Sequence, residues 1–328
     1  MLQEIIKEIR SYPGLTRKRD IYRITNVLQT VTDFGDTVAD LGEDAAAIAY
    51  NGEYLLLAVD GIWSGLIEAN PYGAGKAAVM ASVNDIYAMG GRPLAMVNVI
   101  GASTEGNLDD IVKGIRKGCE KFRVPMVGGH LHPDTAEEQL SVAIMGRAQR
   151  LLRSNNAVPG QDIIFAVDMD GRGYQCKPVL SWDTNSGKKT PQVLERLELL
   201  PQLAEQKLCS TAKDVSNAGL LGTIALMMET SATGAHINID HIPKPDSFSL
   251  IDWLKAFLSY GFVLCVDKNI SSEVVEIFAS KKITASVIGS VTQQRTYTLE
   301  FQGRHDTLFD LGKEDITGVI GDYGLQNM

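Results

Sequence analysis

Four aspartates, Asp44, Asp60, Asp85 and Asp214, could do chemistry that the rest of the chain cannot. Asp85 lies in Val83–Pro93, the end of a helix expected to run from about Gly75. Ala78, Val79, Ser82, Ile86 and Met89 recur there at helical spacing, so one face is buried. A carboxylate within such an apolar helix is costly unless it is paired or bound to a cation. Asp44 opens one strand and Asp60 closes its partner, with the hairpin signal Asn51-Gly52 between them. Antiparallel pairing brings these two acids to the same edge of a sheet, where they repel unless a cation intervenes. Asp214 is expected in a loop over Thr211–Gly219, beside small residues that let backbone approach a ligand. Taken singly, each is a turn or capping residue. Taken together, hard oxygen ligands without a matching His/Cys set point to Mg²⁺ rather than zinc. Mg²⁺ in turn points to a phosphorylated substrate, most simply ATP.

The elements that must position these acids alternate between helix and strand. Gly90 and Gly91 stop the central helix and Pro93 prevents its resumption. Leu2, Ile5, Ile6 and Ile9 mark an amphipathic N-terminal helix. Ile21–Gln29 reads as helix and Val31–Asp40 as loop. Strands are expected at Ala46–Ala49, Tyr54–Val59, Leu94–Ile100 and Leu140–Ala148, with a helix at Leu108–Phe122. Val124–Val127 reads as a short buried strand ending at Gly128-Gly129. The polar segment Arg150–Gln161 places a domain junction, giving domains 1–152 and 153–328. Beyond it, Asp162–Val167 is a strand and Asp168–Lys189 a long loop. A helix runs from Thr190, with Pro191 at its first turn, to about Gln206, and an apolar helix spans Leu220–Thr230. Strands follow at His236–Ile239, Phe262–Val266, Ile283–Val291 and Thr296–Phe301, with a helix at Ser272–Ala279. The fold class is α/β (α+β) in both halves.

Composition sets bounds on function. Formal net charge is -9 over 328 residues, which disfavours nucleic acid as a partner. The basic run Arg17, Lys18, Arg19 is read first as a solvated face and second as a phosphate-gripping loop. Cys119, Cys176, Cys209 and Cys265 form no C-x-x-C pair, so neither a zinc knot nor a disulfide framework is indicated. No apolar run approaches membrane-spanning length and Met1–Arg10 lacks a signal-peptide core, so the expected compartment is the cytoplasm, with no membrane partner. There is no G-x-x-x-x-G-K-[ST] loop; Tyr72–Lys76 has the wrong spacing and reads as a helix start, and Gly171-Arg172-Gly173 is similarly weak. His130 and His132 alternate, so in a strand they would face one way as a metal pair, but a third ligand is missing and polar loop histidines are the favoured reading.

The ordered set of motifs resembles a known superfamily, that of aminoimidazole ribonucleotide (AIR) synthetase, thiamine-monophosphate kinase, selenophosphate synthetase and the hydrogenase-maturation carbamoyl dehydratase, the PurM-like proteins. The resemblance rests on the Gly42–Ala46 acidic turn, Asp60-Gly61, Val83–Pro93, Gly128-Gly129, Arg153 with Pro159-Gly160, Asp214–Leu221, Tyr260–Val266 and Val287–Val291. His130–Asp134 and Trp182-Asp183-Thr184 are similar to the AIR synthase-related branch that includes methanogenesis marker protein 2-like proteins.

The resemblance implies an N-terminal α/β domain that pairs with its twin in a homodimeric β-barrel, ATP in a cleft shared across that interface, and a C-terminal α/β sandwich. It implies that Asp44, Asp60, Asp85 and Asp214 hold Mg²⁺ and that Gly129, Arg153 and Ser216, with His130, contact ATP. Three departures from the kinase pattern stand out: His130 replaces an Asp, Asn217 replaces a metal-binding Asp, and Ala58-Val59 replace a Ser/Thr pair before Asp60. The Cys/Lys loop of selenophosphate synthetase has no counterpart. A small-molecule acceptor is expected near Arg17 and Lys18, the loop carrying Trp182, and Asn217. The expected activity is Mg²⁺-dependent use of ATP, by a kinase or a synthetase; a non-catalytic nucleotide-binding paralogue is the rival.

Overall fold

The computed structural model describes residues 1–28, 31, 37–39, 41–102, 104–133, 135–176 and 179–319. Most of the expected loop at 31–40 lies outside the described residues, and residues 37–39 within it are a strand, not loop. The first half contains helices α1 (Leu2–Arg10), α2 (Pro13–Thr16), α3 (Ile21–Leu28), α4 (Ser64–Ala69), α5 (Pro71–Ala88) and α6 (Glu105–Phe122). Its strands are β1 (Thr37–Ala39), β2 (Ala46–Tyr50), β3 (Glu53–Gly61), β4 (Arg92–Gly101), β5 (Met126–His132) and β6 (Gln139–Ala148). They form one open sheet in the order β1-β2-β3-β6-β4-β5. Among the described residues no single-chain barrel closes.

The second half contains β7 (Asp162–Val167), β8 (Arg172–Cys176), β9 (Val179–Asp183), β10 (Thr211–Asp214), β11 (Gly234–Asn238), β12 (Phe257–Leu258), β13 (Gly261–Val266), β14 (Thr284–Thr292), β15 (Thr296–Phe301) and β16 (Arg304–Asp310). Its helices are α7 (Thr190–Leu197), α8 (Leu199–Glu205), α9 (Gly219–Thr230), α10 (Leu250–Lys255) and α11 (Ser271–Ser280). A seven-stranded sheet runs β10-β13-β7-β14-β11-β15-β16, and a small one runs β12-β9-β8.

At β7 the seven-stranded sheet is covered on both faces, and strand alternation shows how. Ile163, Phe165 and Val167 of β7 join a core with α1, α9 and α10. Ile164 and Ala166 join the other core, shared with α5, α6, α7 and α8. Thus α1, at the start of the chain, packs into the core of the second half.

Helix α5 is the spine between the sheets. Asn70 caps it by accepting from the Gly73 amide at 2.9 Å, and Pro71 occupies the first turn. A Cβ on Gly75 would fall 2.2 Å from the Ile111 carbonyl oxygen, so only glycine lets α6 approach this closely. Val79, Val83 and Ile86 are fully buried, each stabilising by roughly 2 kcal/mol. Gly90, at φ +75°, ends the helix as expected.

Four sequence expectations are corrected. Residues 168–189 are no open loop, because β8 and β9 form a hairpin that pairs with β12. Gly128 and Gly129 lie inside an exposed edge strand, β5, and not at the end of a buried one, so His130 and His132 are strand residues too. Residues 211–214 are strand β10, an edge strand fully buried along its length. The helix after Thr190 is two helices, α7 and α8, that meet at Glu198. Strand β16 was not expected at all.

A buried carboxylate fastens the C-terminal segment. Glu229, 1% exposed, accepts from the Ile316 amide at 2.6 Å, the Thr317 amide at 2.9 Å and the Thr317 hydroxyl at 2.6 Å. Glu229→Ala leaves these buried donors without a partner and is expected to cost about 3 kcal/mol. Urea unfolding should show a lower midpoint with an unchanged slope.

Candidate functional site

Three elements converge on one point. Asp60 alternates with Leu56 and Ala58 along β3, so it faces the α5 side of the sheet. Ala46 stands opposite Leu57 in the hairpin, which sets Asp44 beside the Val59–Asp60 end of β3. Asp85 reaches the same place from α5, and Asp214 reaches it from the end of β10. One carboxylate oxygen each from Asp44, Asp85 and Asp214 lies within 4.8 Å of the others. Asp60 lies outside this tight trio, yet its charge is the largest electrostatic influence on Asp85.

The electrostatics are those of crowded anions under burial. Burial first, then the charges of Asp60, Asp214 and Asp44, hold the Asp85 carboxyl well above the usual range. Burial and the Asp44 charge push Asp214 up to about 8. Burial also raises Asp60. The counter-charge is Lys213, the residue before Asp214, whose ammonium donates to Asp44 Oδ1. Burial would strip its proton, but Asp44 and Asp214 outweigh burial and raise its pKa. Lys18 is half-buried at the margin, where burial and the Lys213 charge lower its pKa while Asp214, Asp44 and Asp60 oppose them.

The donor set fits Mg²⁺. All three close ligands are hard oxygens, and an octahedral Mg²⁺ shell is about 4.2 Å across, close to the observed envelope. Asp44 Oδ2 is buried with no hydrogen-bond partner, an acceptor left free by the protein. Lys213 compensates one negative charge of the set and leaves the others for a divalent ion.

The remaining expected residues are placed as follows. The Arg153 guanidinium pairs with Glu43 at 3.2 Å, and Glu43 also accepts from the Ser154 amide at 2.7 Å. This cradle fixes the turn immediately before Asp44. Ser216 and Asn217 are half-buried in the turn after β10. A Cβ on Gly14 would fall 2.0 Å from the Asn217 carbonyl oxygen, so α2 lies directly on that turn, and the 3-10 turn that follows it, Arg17–Asp20, carries Lys18 to the acids. Arg17 is exposed. Trp182 is a core residue, 3% exposed. Its indole donates to the Asp168 carbonyl at 2.9 Å, and it packs edge-on against Phe248 and Trp253. Gly129 and His130 lie on β5, with β6 and β4 between it and β3. At ~4.8 Å per strand that is roughly 14 Å, so a single chain does not bring them to the acids. Sequence reasoning missed Lys213 and the Glu43 cradle; the adjacency of Lys213 to Asp214 was the available signal.

Residues 42–148 match the AIR synthase related protein N-terminal domain, and residues 176–302 match its C-terminal domain. The chain is 38% identical over 326 residues to an uncharacterized protein of Methanocaldococcus jannaschii, covering 97% of this chain and 99% of that protein. It is 28% identical over 301 residues to thiamine-monophosphate kinase of Pyrococcus horikoshii, covering 86% and 92%. Its fold is similar to phosphoribosylformylglycinamidine synthase II of Thermotoga maritima, with a TM-score of 0.75 at 17% identity over 98% of this chain and 52% of that one. It is also similar to AaThiL complexed with AMPPCP and TMP, with a TM-score of 0.66 at 16% identity over 88% and 95%.

The raised pKa of Asp214 has a consequence for metal-free protein. The folded chain keeps this proton up to about pH 8, whereas the unfolded chain releases it near pH 4. The folded state therefore binds more protons across that window. The associated stability is complete below about pH 4 and is lost as pH rises through about 8. By calorimetry, Tm is expected to fall between about pH 6 and about pH 9 more steeply for the wild type than for Asp214→Asn. Equal slopes would remove Asp214 as the source.

Proposed function

The chain belongs to the AIR synthase related family, within the PurM-like superfamily, and we propose that it is a Mg²⁺-dependent enzyme that uses ATP to phosphorylate or activate an oxygen of a small metabolite. The observation that carries this reading is the Asp44–Asp85–Asp214 trio, two half-buried acids and one buried, with its unpartnered buried Asp44 oxygen. Relatives support it: thiamine-monophosphate kinase and selenide, water dikinase are both kinases by name. Bound Mg²⁺ would supply charge neutralisation for the phosphate oxygens.

The protein's own part is placement. Asp44, Asp85 and Asp214 hold the cation, with Asp60 at the side. Lys213 and Lys18 present fixed positive charge toward the phosphate tail. Arg153, held by Glu43, and Ser216 stand at the rim as nucleotide contacts, and Asn217 beside α2 faces the acceptor. A second reading, a nucleotide-binding paralogue without turnover, draws on Ala58-Val59, which offer no hydroxyl beside Asp60, and on Asn217.

Gly129 and His130 require a second copy to complete the site. The outer face of the first sheet supports that assembly. Leu57, Val59, Val97, Val99 and Met145 are 42–68% exposed. Leu57 stands opposite Met145, while Val59 and Val97 both stand opposite Ala143, so the patch is continuous across three strands. Apolar surface of that extent marks an interaction face, here the seam of a homodimer.

Two measurements test the reading. Asp85→Asn keeps the shape and removes the ligand charge, so calorimetric titration should show Mg²⁺–ATP binding at least ~10-fold weaker, with the metal-free fold retained. Equal affinity would remove Asp85 from the site. Val97→Glu should turn a sedimenting dimer into a monomer; an unchanged dimer would place the seam elsewhere.

A further inference from the structure

A second ligand set lies far from the acids, on the outer strands of the seven-stranded sheet. His236 of β11, Glu300 of β15 and His305 of β16 sit on three adjacent strands. Glu300 stands directly opposite His305, and His236 directly opposite Thr298, two residues before Glu300. Period-two alternation therefore puts all four side chains on one face. One ligand atom from each of His236, Glu300 and His305 lies within 4.8 Å of the others. The residues are half-buried, half-buried and exposed, so the face is open to solvent.

The hydrogen bonds orient this set toward a cation. The Thr298 hydroxyl reaches the Ala235 carbonyl at 3.3 Å, and its oxygen lies 3.1 Å from His236 Nδ1. With the Thr298 proton on Ala235, Nδ1–H donates to Thr298 and Nε2 keeps its lone pair. Nε2 faces Glu300 Oε2 at 3.2 Å, two acceptors that only a proton or a cation reconciles. His305 Nδ1 approaches the same carboxylate oxygen at 3.9 Å, and its ring stacks on that of His236. Ligand atoms around tetrahedral zinc are roughly 3.4 Å apart for bonds near 2.1 Å. Histidine ligands characteristically donate their second ring N–H to a protein oxygen, which is the part Thr298 plays.

We propose that His236, Glu300 and His305 form a site for a divalent transition-metal ion of the zinc type, with water as the fourth ligand. Two imidazoles and one carboxylate suit Zn²⁺ and discriminate against Mg²⁺, so the site is chemically separate from the aspartate trio. The ion clips β16, the outermost strand, to β15 and β11. It does not depend on the nucleotide reading.

The test uses full-length protein stripped of metal and kept in excess Mg²⁺, which occupies hard-oxygen sites. Equilibrium dialysis with Zn²⁺ is expected to show one saturable equivalent, and the same protein loaded with Co²⁺ is expected to show the visible absorption of a tetrahedral ion. His236→Gln and His305→Gln should each weaken binding more than 10-fold. Thr298→Val, which leaves all ligands in place, should weaken it about 10-fold. The double variant His130→Gln, His132→Gln, on the other exposed histidine pair, should bind as the wild type does. Absence of a saturable equivalent overturns the proposal and leaves a protonated ion pair. So does loss of binding in the His130/His132 variant but not in His236→Gln.

Discussion

Three carboxylates meeting out of water are the constraint around which this protein is arranged. Each carries a desolvation cost, and each raises the cost of its neighbours. Lys213 offsets part of it by an ammonium rooted in the same strand as Asp214. A lysine cannot dissociate, so the folded chain keeps a counter-charge whether or not a divalent ion is present. The fixed charge also limits how many cations the acids attract, because it has already neutralised one of them.

Positioning this cluster requires both halves of the molecule. Asp44 and Asp60 belong to the open sheet, Asp85 to the helix between the layers, and Asp214 to the edge of the covered sheet. Their relative distances are therefore set by how α5 packs. Its glycine contact with α6 and its fully buried aliphatic face leave little freedom for a helix shift. A rigid spine suits a cluster whose acids come from different layers, since a displacement of one ångström would separate them.

Much of this was legible in the sequence. The acids, the Asn51-Gly52 hairpin, the Gly90 stop and most elements follow from periodicity and turn chemistry, and those signals are local. What was missed is mostly non-local. Residues 168–189 look like a loop because β8 and β9 are short and flanked by Gly171 and Gly187, and their pairing with β12 depends on residues 257–258, far along the chain. Gly128-Gly129 suggests a turn, but glycine in a strand also marks close approach of a neighbour, here Asn98 of β4, whose backbone oxygen a Cβ on Gly129 would meet at 2.7 Å. Trp182 resembles a specificity residue only until its neighbours, Phe248 and Trp253, are known. In a sequence, a lysine beside an aspartate such as Lys213 ordinarily reads as a solvated pair. Here it is 9% exposed, which only the tertiary structure reveals.

The Glu229 clasp reaches the acids through the segment it holds. A Cβ on Gly42 would fall 3.1 Å from Val319, just beyond the held residues 316–318. The turn that carries Glu43 and Asp44 is thus buttressed by the final part of the described chain. The opening helix is tied to the same region, since Arg10 pairs with Glu314 at 2.6 Å. A substitution in this segment would loosen that turn from behind without touching an acid, so the geometry of the cluster depends on residues remote from it in sequence.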